Sequence, residues 1–353
     1  MLTNIKKYNK ICVLGAGLWG TALADQIARK GRPVWVWEYH PDAARGLQAT
    51  RRHPHIPGFR IAPSITVSSD LGAAVRKSGL VLIVLPSAFV RETARRLRPF
   101  LEVTGPKPIL VNASKGVEPG SLRTMGEAII EELPFLAEKV FTVSGPSFAR
   151  EVVRGVATKL VLAGTPGPDA AAAMRLIGGG SIHVEFSPDR IGVELGGSLK
   201  NVLAIGCGIL DGLAIHPASR KREGHGEVTG ANTKAALMTQ GMAEMGRLIE
   251  RFGGRRETIY GLAGLGDLFA TGSSRESRNR ALGEKLGRGK KLKTALREIQ
   301  TVVEGVESAQ SAHTLATASA IRAPLTMAIW RVVHRGASPW KVLEAMGFEG
   351  FDG

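Results

Sequence analysis

Short apolar runs separated by helical stretches fill this chain up to Pro188 and are absent beyond it. Lys10-Ile-Cys-Val-Leu14 leads into a helical pattern from about Trp19 to Lys30. Pro33–Trp37, Gly79–Leu85, Ile109–Asn112, Val140–Val143, Lys159–Ala163 and Ile182–Phe186 are the further strand candidates. Gly79-Leu-Val-Leu-Ile-Val-Leu85 shows no polar alternation, as expected of a strand buried on both faces of a parallel sheet. Repeated strand–helix alternation predicts a doubly wound α/β domain. After Pro188, amphipathic or small-residue helical segments dominate to about Met346. The expected architecture is therefore α/β: a parallel sheet over residues 1–188, then an all-helical domain over 189–353. A chain of 353 residues suits two domains.

Gly15-Ala-Gly-Leu-Trp-Gly20 follows the first strand and opens the first helix. Gly15 allows a tight turn, Gly17 lets a pyrophosphate approach the backbone, and Gly20 lets helix and strand pack closely. The helix N-terminus then faces the phosphates. This makes the first domain a Rossmann-type one. Glu38, with Tyr39 beside it, ends the second strand, where a carboxylate accepts from the adenosine ribose. At that place Glu38 would repel a ribose 2′-phosphate and so favour NAD over NADP, although Arg45, Arg51 and Arg52 could offset it; an ordinary exposed glutamate is the alternative.

One lysine stands out in the second half. The run Ile191–Gly206 is almost free of charge apart from Glu194 and Lys200. Drawn as a helix, it puts Gly196, Gly197, Lys200, Ala204 and Cys207 on one face and Leu195, Leu199, Val202 and Leu203 on the other. The small face lets something large approach. A lysine buried there must find an anion or water, or lose its proton. Acid–base catalysis is one reading. Snorkelling to the surface, or a structural pair with a core carboxylate, is the other.

Further segments sit where ligands bind. Asn112-Ala-Ser-Lys-Gly-Val117 follows a strand end and places Lys115 at the ligand edge of the sheet, as a site residue or a solvated loop lysine. Ser144-Gly-Pro-Ser-Phe-Ala149 also follows a strand and suits a turn, either one that presents amides to a ligand or a plain connection. Gly261-Leu-Ala-Gly-Leu-Gly-Asp267 sets an aspartate among glycines and apolar residues, where it needs a cation or several donors; Lys200 is the natural cation, and helix capping the alternative. Ser273–Arg280 opens an amphipathic helix with hydroxyls, amides and arginines. Arginine opposes the helix dipole there; a bound phosphate would resolve the conflict, and an exposed charge run is the alternative.

The formal charge is +16 with a pI of about 10.2 and a mean hydropathy of +0.02. The basic residues are scattered, without a basic tail, aromatic RNA-binding signature or zinc spacing. Most of this charge reads as a solvated surface, with a minority forming anion sites, and nucleic acid is not expected as a partner. Cys12 and Cys207 lie in apolar surroundings and read as free thiols of a reducing compartment. The eight histidines show no metal-ligand spacing, so no metal is expected; His53 and His55 read as loop residues. Lys6, Lys7 and Lys10 before an apolar stretch mimic a secretory signal, but three glycines interrupt it. No apolar run reads as long enough to span a bilayer, and the cytoplasm is the expected location.

Together these motifs resemble the bacterial NAD(P)-dependent glycerol-3-phosphate dehydrogenase family. The match runs in order through Gly15–Gly20, Ser114-Lys-Gly116, Ser144–Glu151, Gly192–Asn201, Gly230–Lys234, Gly261–Asp267, Ser277-Arg-Asn279 and Val302-Val-Glu-Gly305. The resemblance implies reversible hydride transfer between dihydroxyacetone phosphate and sn-glycerol 3-phosphate, a phospholipid precursor, with NAD or NADP. It implies that Lys200 is the general acid–base, with Lys115 a second catalytic lysine at substrate and cofactor, Asp267 the catalytic aspartate of the substrate site, and Asn201 next to Lys200. Ser277, Arg278 and Asn279 match the substrate-phosphate segment, with Arg278 also reaching the cofactor. Trp19, Gly145, Ser147, Ala149, Val302 and Glu304 match further cofactor or site-lining positions, and Leu18 occupies a cofactor position without matching its usual residue.

Three departures stand out. Leu18 replaces a serine common in the glycine loop. Lys234 stands where many relatives have arginine, which keeps charge but loses bidentate geometry. A loop around residues 213–229 carries an insertion with Arg220, Lys221, Arg222, His225 and Glu227, read as an inert loop or a lid ahead of a lipid contact. A β-hydroxyacid or 6-phosphogluconate-type dehydrogenase is the rival enzyme, and a redox-sensing NADH-binding regulator the rival class; the Asp267 and Ser277–Asn279 segments argue against the first. A homodimer is expected from the apolar faces a helical domain offers.

Overall fold

The computed structural model of the chain describes residues 10–102, 105–216 and 228–349. Two compact units are present, one of Met1–Glu118 and Arg123–Arg190, the other of Pro119–Leu122 and Ile191–Gly353.

The first unit is built on eight strands: β1 (Ile11–Leu14), β2 (Val34–Trp37), β3 (Ile65–Ser68), β4 (Leu80–Ile83), β5 (Ile109–Asn112), β6 (Val140–Ser144), β7 (Thr158–Ala163) and β8 (Ile182–Ser187). Their order is β3-β2-β1-β4-β5-β6-β7-β8. Ile11 stands opposite both Val34 and Leu80, which fixes the register around the central strand. The helices between strands are α1 (Leu18–Ala28), α2 (Pro41–Thr50), α3 (Leu71–Val75), α4 (Val90–Leu101), α5 (Met125–Glu132), α6 (Ala149–Val153) and α7 (Pro168–Ile177).

Alternate residues of the inner strands feed two cores. Ile11, Val13, Leu80 and Leu82 pack with Leu23 and Ile27 of α1. Cys12, Leu14, Val81 and Ile83 pack with Leu97 of α4 and Ile129 of α5. Helices on both faces explain why these strands read as unbroken apolar runs. Two features depart from the sequence expectation. The edge strand β3 went unread, because Ile65-Thr-Val-Ser68 is four residues long and only every second side chain is buried. The sheet is also not wholly parallel, since β6 and β7 pair antiparallel. Only the five-residue α6 lies between them, and antiparallel neighbours need no long crossover.

The second unit is helical. It holds α8 (Arg190–Ala214) from Ile191 onward, α9 (Ala231–Arg251), α10 (Asp267–Ser273), α11 (Arg278–Gly287), α12 (Leu292–Ile299), α13 (Glu304–Ala318), α14 (Pro324–Arg335) and α15 (Lys341–Ala345). Every residue of α8 from Gly192 to Leu213 is buried except Asp211. Among the described residues α8 alone has the length and hydropathy of a bilayer span, which the sequence reading did not credit. Its most apolar 18 residues are wholly buried in the protein, so that apolarity belongs to the core.

Glycines let α11 cross α8 at backbone contact. A Cβ on Gly208 would lie 2.0 Å from Arg280 O, and one on Gly283 2.0 Å from Ile205 O. Asp211 ties three helices together, with Oδ1 2.6 Å from Lys234 Nζ of α9 and Oδ2 2.7 Å from Arg280 Nε of α11. Lys234 thus serves as a point charge in an ion pair. Glu244 of α9 is fully buried and caps α14, accepting from the amides of Leu325 and Thr326, both at 2.9 Å. Residues 217–227 of the inserted loop, with Arg220, Lys221, Arg222, His225 and Glu227, lie outside the described residues.

Candidate active site

In the first unit the parallel strands deliver the candidate residues to one sheet edge. Gly15, Glu38, Lys115 and Gly145 follow the carboxyl ends of β1, β2, β5 and β6. The sheet order runs outward in opposite directions from β1 and β4, the switch point at which α/β sheets bind ligands.

The glycine loop answers whether a dinucleotide fits. Gly15 has φ +112°, and a Cβ there would lie 2.2 Å from Val84 O; one on Gly20 would lie 2.1 Å from Gly15 O. The protein's own backbone demands both glycines. Gly17 is different. Its φ is −68°, it is exposed, and a Cβ there would meet no atom of the described residues within 4 Å. No described residue of the unit requires Gly17, so the close approach of an outside group is what it suits. The helix α1 begins without a side-chain cap and without an acid in its first turn, which leaves its amide dipoles to an anion. A pyrophosphate fits this cradle. Leu18 and Trp19 are half-buried and pack against the core.

Glu38 is half-buried, and its carboxylate accepts from the His40 amide at 3.0 Å. Tyr39 is 61% exposed. Arg96 of α4 lies over the rings of Trp37 and Tyr39, at 5.5 and 5.7 Å from their centroids. Two of the arginines that could offset Glu38 are engaged elsewhere. Arg45 pairs with Asp42, and Arg51 donates to Gln48 and to the carbonyl of Ala62.

The loop after β5 is locked by its own side chains. Asn112 Oδ1 accepts from the Ser114 amide, Asn112 Nδ2 donates to Ser114 O, and Ser114 Oγ accepts from the Leu85 amide, all at 3.0 Å. Lys115 leaves this lock half-buried, with Nζ 3.5 Å from Gly145 O. Ser147 Oγ donates to the same carbonyl at 3.2 Å, and Ala149 opens α6.

In the second unit Lys200 is 5% exposed and Asp267 3%. Lys200 Nζ lies 3.0 Å from Asp267 Oδ1 and donates to Thr271 Oγ1 at 2.7 Å. Thr271 Oγ1 in turn donates to Asp267 Oδ1 at 3.1 Å. A π-helical turn, Leu262–Gly266, sets Asp267 at the start of α10. Thr271 follows four residues later on the same face. Sequence reading found the aspartate and missed the threonine, although that spacing was its signal.

The small-residue face of α8 needs a correction. A Cβ on Gly196 would lie 3.5 Å from Gly264 N, and one on Gly272 would lie 3.0 Å from Cys207 Sγ. At both ends the Gly-rich segment carrying Asp267 fills the face, because it must approach closely for Asp267 to reach Lys200. Burial pushes the Cys207 thiol up to about 12, and the Cys12 thiol likewise, so neither is a nucleophile.

Asn201 and Asn279 are also joined. Asn279 Oδ1 accepts from the Gly305 amide at 2.9 Å, and its Nδ2 donates to Asn201 Oδ1 at 2.8 Å. That leaves Asn201 Nδ2 buried and without a hydrogen-bond partner among the described residues. Ser277 caps α11, accepting from the Arg280 amide at 3.1 Å. Arg278, in the same first turn, is exposed. Val302 is 64% exposed, and the half-buried Glu304 opens α13. Of the three residues expected at a phosphate, only Arg278 presents its side chain to the outside.

Comparison with known proteins follows both units. Residues 10–169 match the model of the NAD-dependent glycerol-3-phosphate dehydrogenase N-terminus, and residues 189–344 that of its C-terminus. The chain is 41% identical over 327 residues to a glycerol-3-phosphate dehydrogenase (NAD(P)+) of Geobacter sulfurreducens, covering 92% of each chain. It is 40% identical over 328 residues to one from Moorella thermoacetica, again covering 92% of each. The crystal structure of glycerol-3-phosphate dehydrogenase from Coxiella burnetii aligns with a TM-score of 0.85 at 36% identity, covering 97% of this chain and 98% of that one.

Proposed function

The chain belongs to the NAD-dependent glycerol-3-phosphate dehydrogenase family, and from that premise we propose that it interconverts dihydroxyacetone phosphate and sn-glycerol 3-phosphate with Lys200 as the proton carrier. The observation that carries this reading is the buried triad of Lys200, Asp267 and Thr271. A bound nicotinamide dinucleotide supplies or accepts the hydride. Residues 1–188 hold the cofactor, through Gly15, Gly17, Leu18, Trp19, Gly20, Glu38, Tyr39 and Ala149, and residues 189–353 act on the substrate.

In reduction Lys200 gives a proton to the carbonyl oxygen as it becomes an alkoxide; in oxidation Lys200 takes the hydroxyl proton. Asp267 and Thr271 fix the direction of Nζ, and an oriented acid lowers the barrier by avoiding reorganisation. Asn201 Nδ2 offers the substrate a further donor. Arg278 takes the substrate phosphate as a planar, always charged ligand, and Ser277 and Asn279 hold the turn that presents it. Lys115 adds positive charge at the sheet edge.

Glu38 favours NADH, because a 2′-phosphate beside a carboxylate is repelled. The reaction supplies glycerol 3-phosphate for phospholipid synthesis, in the cytoplasm. A homodimer is the expected assembly, and sedimentation equilibrium at the single-chain mass of 37.5 kDa would exclude it.

The deciding experiment is a steady-state assay with dihydroxyacetone phosphate, with NADH and NADPH in parallel. Turnover with NADH ahead of NADPH is expected. Lys200→Ala should lower kcat by roughly 100- to 10,000-fold, the usual worth of a positioned acid–base, while NADH binding persists. Near-normal kcat in a folded Lys200→Ala protein that binds NADH removes Lys200 from the role.

A further inference from the structure

His53 is 4% exposed and sits in the loop between α2 and β3. Its Nε2 lies 3.2 Å from the carbonyl oxygen of Ala16, between the first two glycines of the loop. Its Nδ1 accepts from the His55 amide at 3.2 Å. A ring that accepts at Nδ1 carries its proton at Nε2, so Nε2–H donates to Ala16 O. Burial pushes the His53 pKa below its ordinary value, against the pull of the Ala16 carbonyl and with help from His55, a direction that favours the neutral ring. The same carbonyl accepts from Thr21 Oγ1 at 3.0 Å. The His53 loop is itself anchored to α1, where Asp25 Oδ1 accepts from the Ala62 amide at 2.8 Å.

Two donors from different elements thus hold one peptide oxygen. In a trans peptide the carbonyl and the following N–H point in opposite directions, and no described peptide bond is cis. Holding Ala16 O therefore fixes the direction of the Gly17 amide.

We propose that His53 is a positioning residue for the dinucleotide: with Thr21 it locks the Ala16–Gly17 peptide so that the Gly17 amide faces the pyrophosphate. The proposal rests on the reading of Gly15–Gly20 as the pyrophosphate loop. An amide oriented beforehand need not be ordered on binding, and the gain appears as affinity.

The test measures NADH binding by fluorescence, and kcat and KM with dihydroxyacetone phosphate, for the full-length wild type, His53→Leu and His53→Gln. Leucine removes the donor, whereas glutamine carries an amide N–H of similar reach. His53→Leu should raise Kd and KM for NADH about three- to tenfold, the worth of one hydrogen bond. Its kcat at saturating NADH should stay within about twofold of wild type, and His53→Gln should recover most of the affinity. Wild-type affinity in His53→Leu, or glutamine no better than leucine, overturns the proposal. If His53→Leu does not fold, Thr21→Val against Thr21→Ser interrogates the same carbonyl. Weaker NADH binding in the valine variant alone is expected, and equal binding in both overturns it. Failure of the wild type to bind NADH removes the dinucleotide reading itself, and the proposal with it.

Discussion

Gly15 and Gly17 lie two residues apart and are glycine for opposite reasons. A Cβ on Gly15 meets the Val84 carbonyl at 2.2 Å, while one on Gly17 meets no atom of the described residues within 4 Å. Gly15→Ala should therefore destabilise the fold by at least about 2 kcal/mol, through backbone clash and positive φ. Gly17→Ala should leave stability within about 0.5 kcal/mol, since its φ suits any residue. It should nevertheless weaken NADH binding. Thermal melts paired with NADH titration separate the two, and a Gly17→Ala protein that melts early would assign Gly17 an internal role instead. Both glycines were legible in the sequence, but the reason for each required the neighbouring atoms. His53 was legible only as a loop residue, because its partner Ala16 is 37 positions away.

At the level of elements, the second unit depends on one helix crossing. Gly208 and Gly212 of α8 face Gly283 and Gly287 of α11, each would-be Cβ falling within 2.3 Å of a backbone oxygen on the other helix. That approach brings Asn279 within hydrogen-bond reach of Asn201. Gly283→Ala should cost about 1–3 kcal/mol, as overpacking does, and should also lower turnover by displacing the start of α11. Chemical denaturation with parallel kinetics checks this, and an unchanged midpoint would mean the crossing is loose. The sequence showed that one face of α8 is made of small residues. It did not show that the protein's own backbone fills that face at Gly196 and Cys207. Small residues signal close approach without naming what approaches. In the same way, β3 escaped reading because an edge strand of four residues carries too short an alternation to stand out from its flanking turns.

At the scale of the whole molecule, a net charge of +16 acts on an anionic substrate and an anionic cofactor. Such a field speeds encounter and is screened by salt. The kcat/KM for dihydroxyacetone phosphate should fall severalfold on going from low to about 0.2 M ionic strength, with kcat less affected; a flat profile would assign the charge to solvation alone. By itself the sequence determined the α/β-then-helical order, the glycine loop, the isolated Lys200 and the ordered motifs that place the chain in its family. Each of these is a local pattern, set by periodicity or by neighbours along the chain. The tertiary structure alone decided the reversal of β7, the alliance of Thr271 with Lys200 across 71 positions and that of Asn279 with Asn201 across 78. Those pairings depend on how closely backbones can cross, a distance that no single segment encodes.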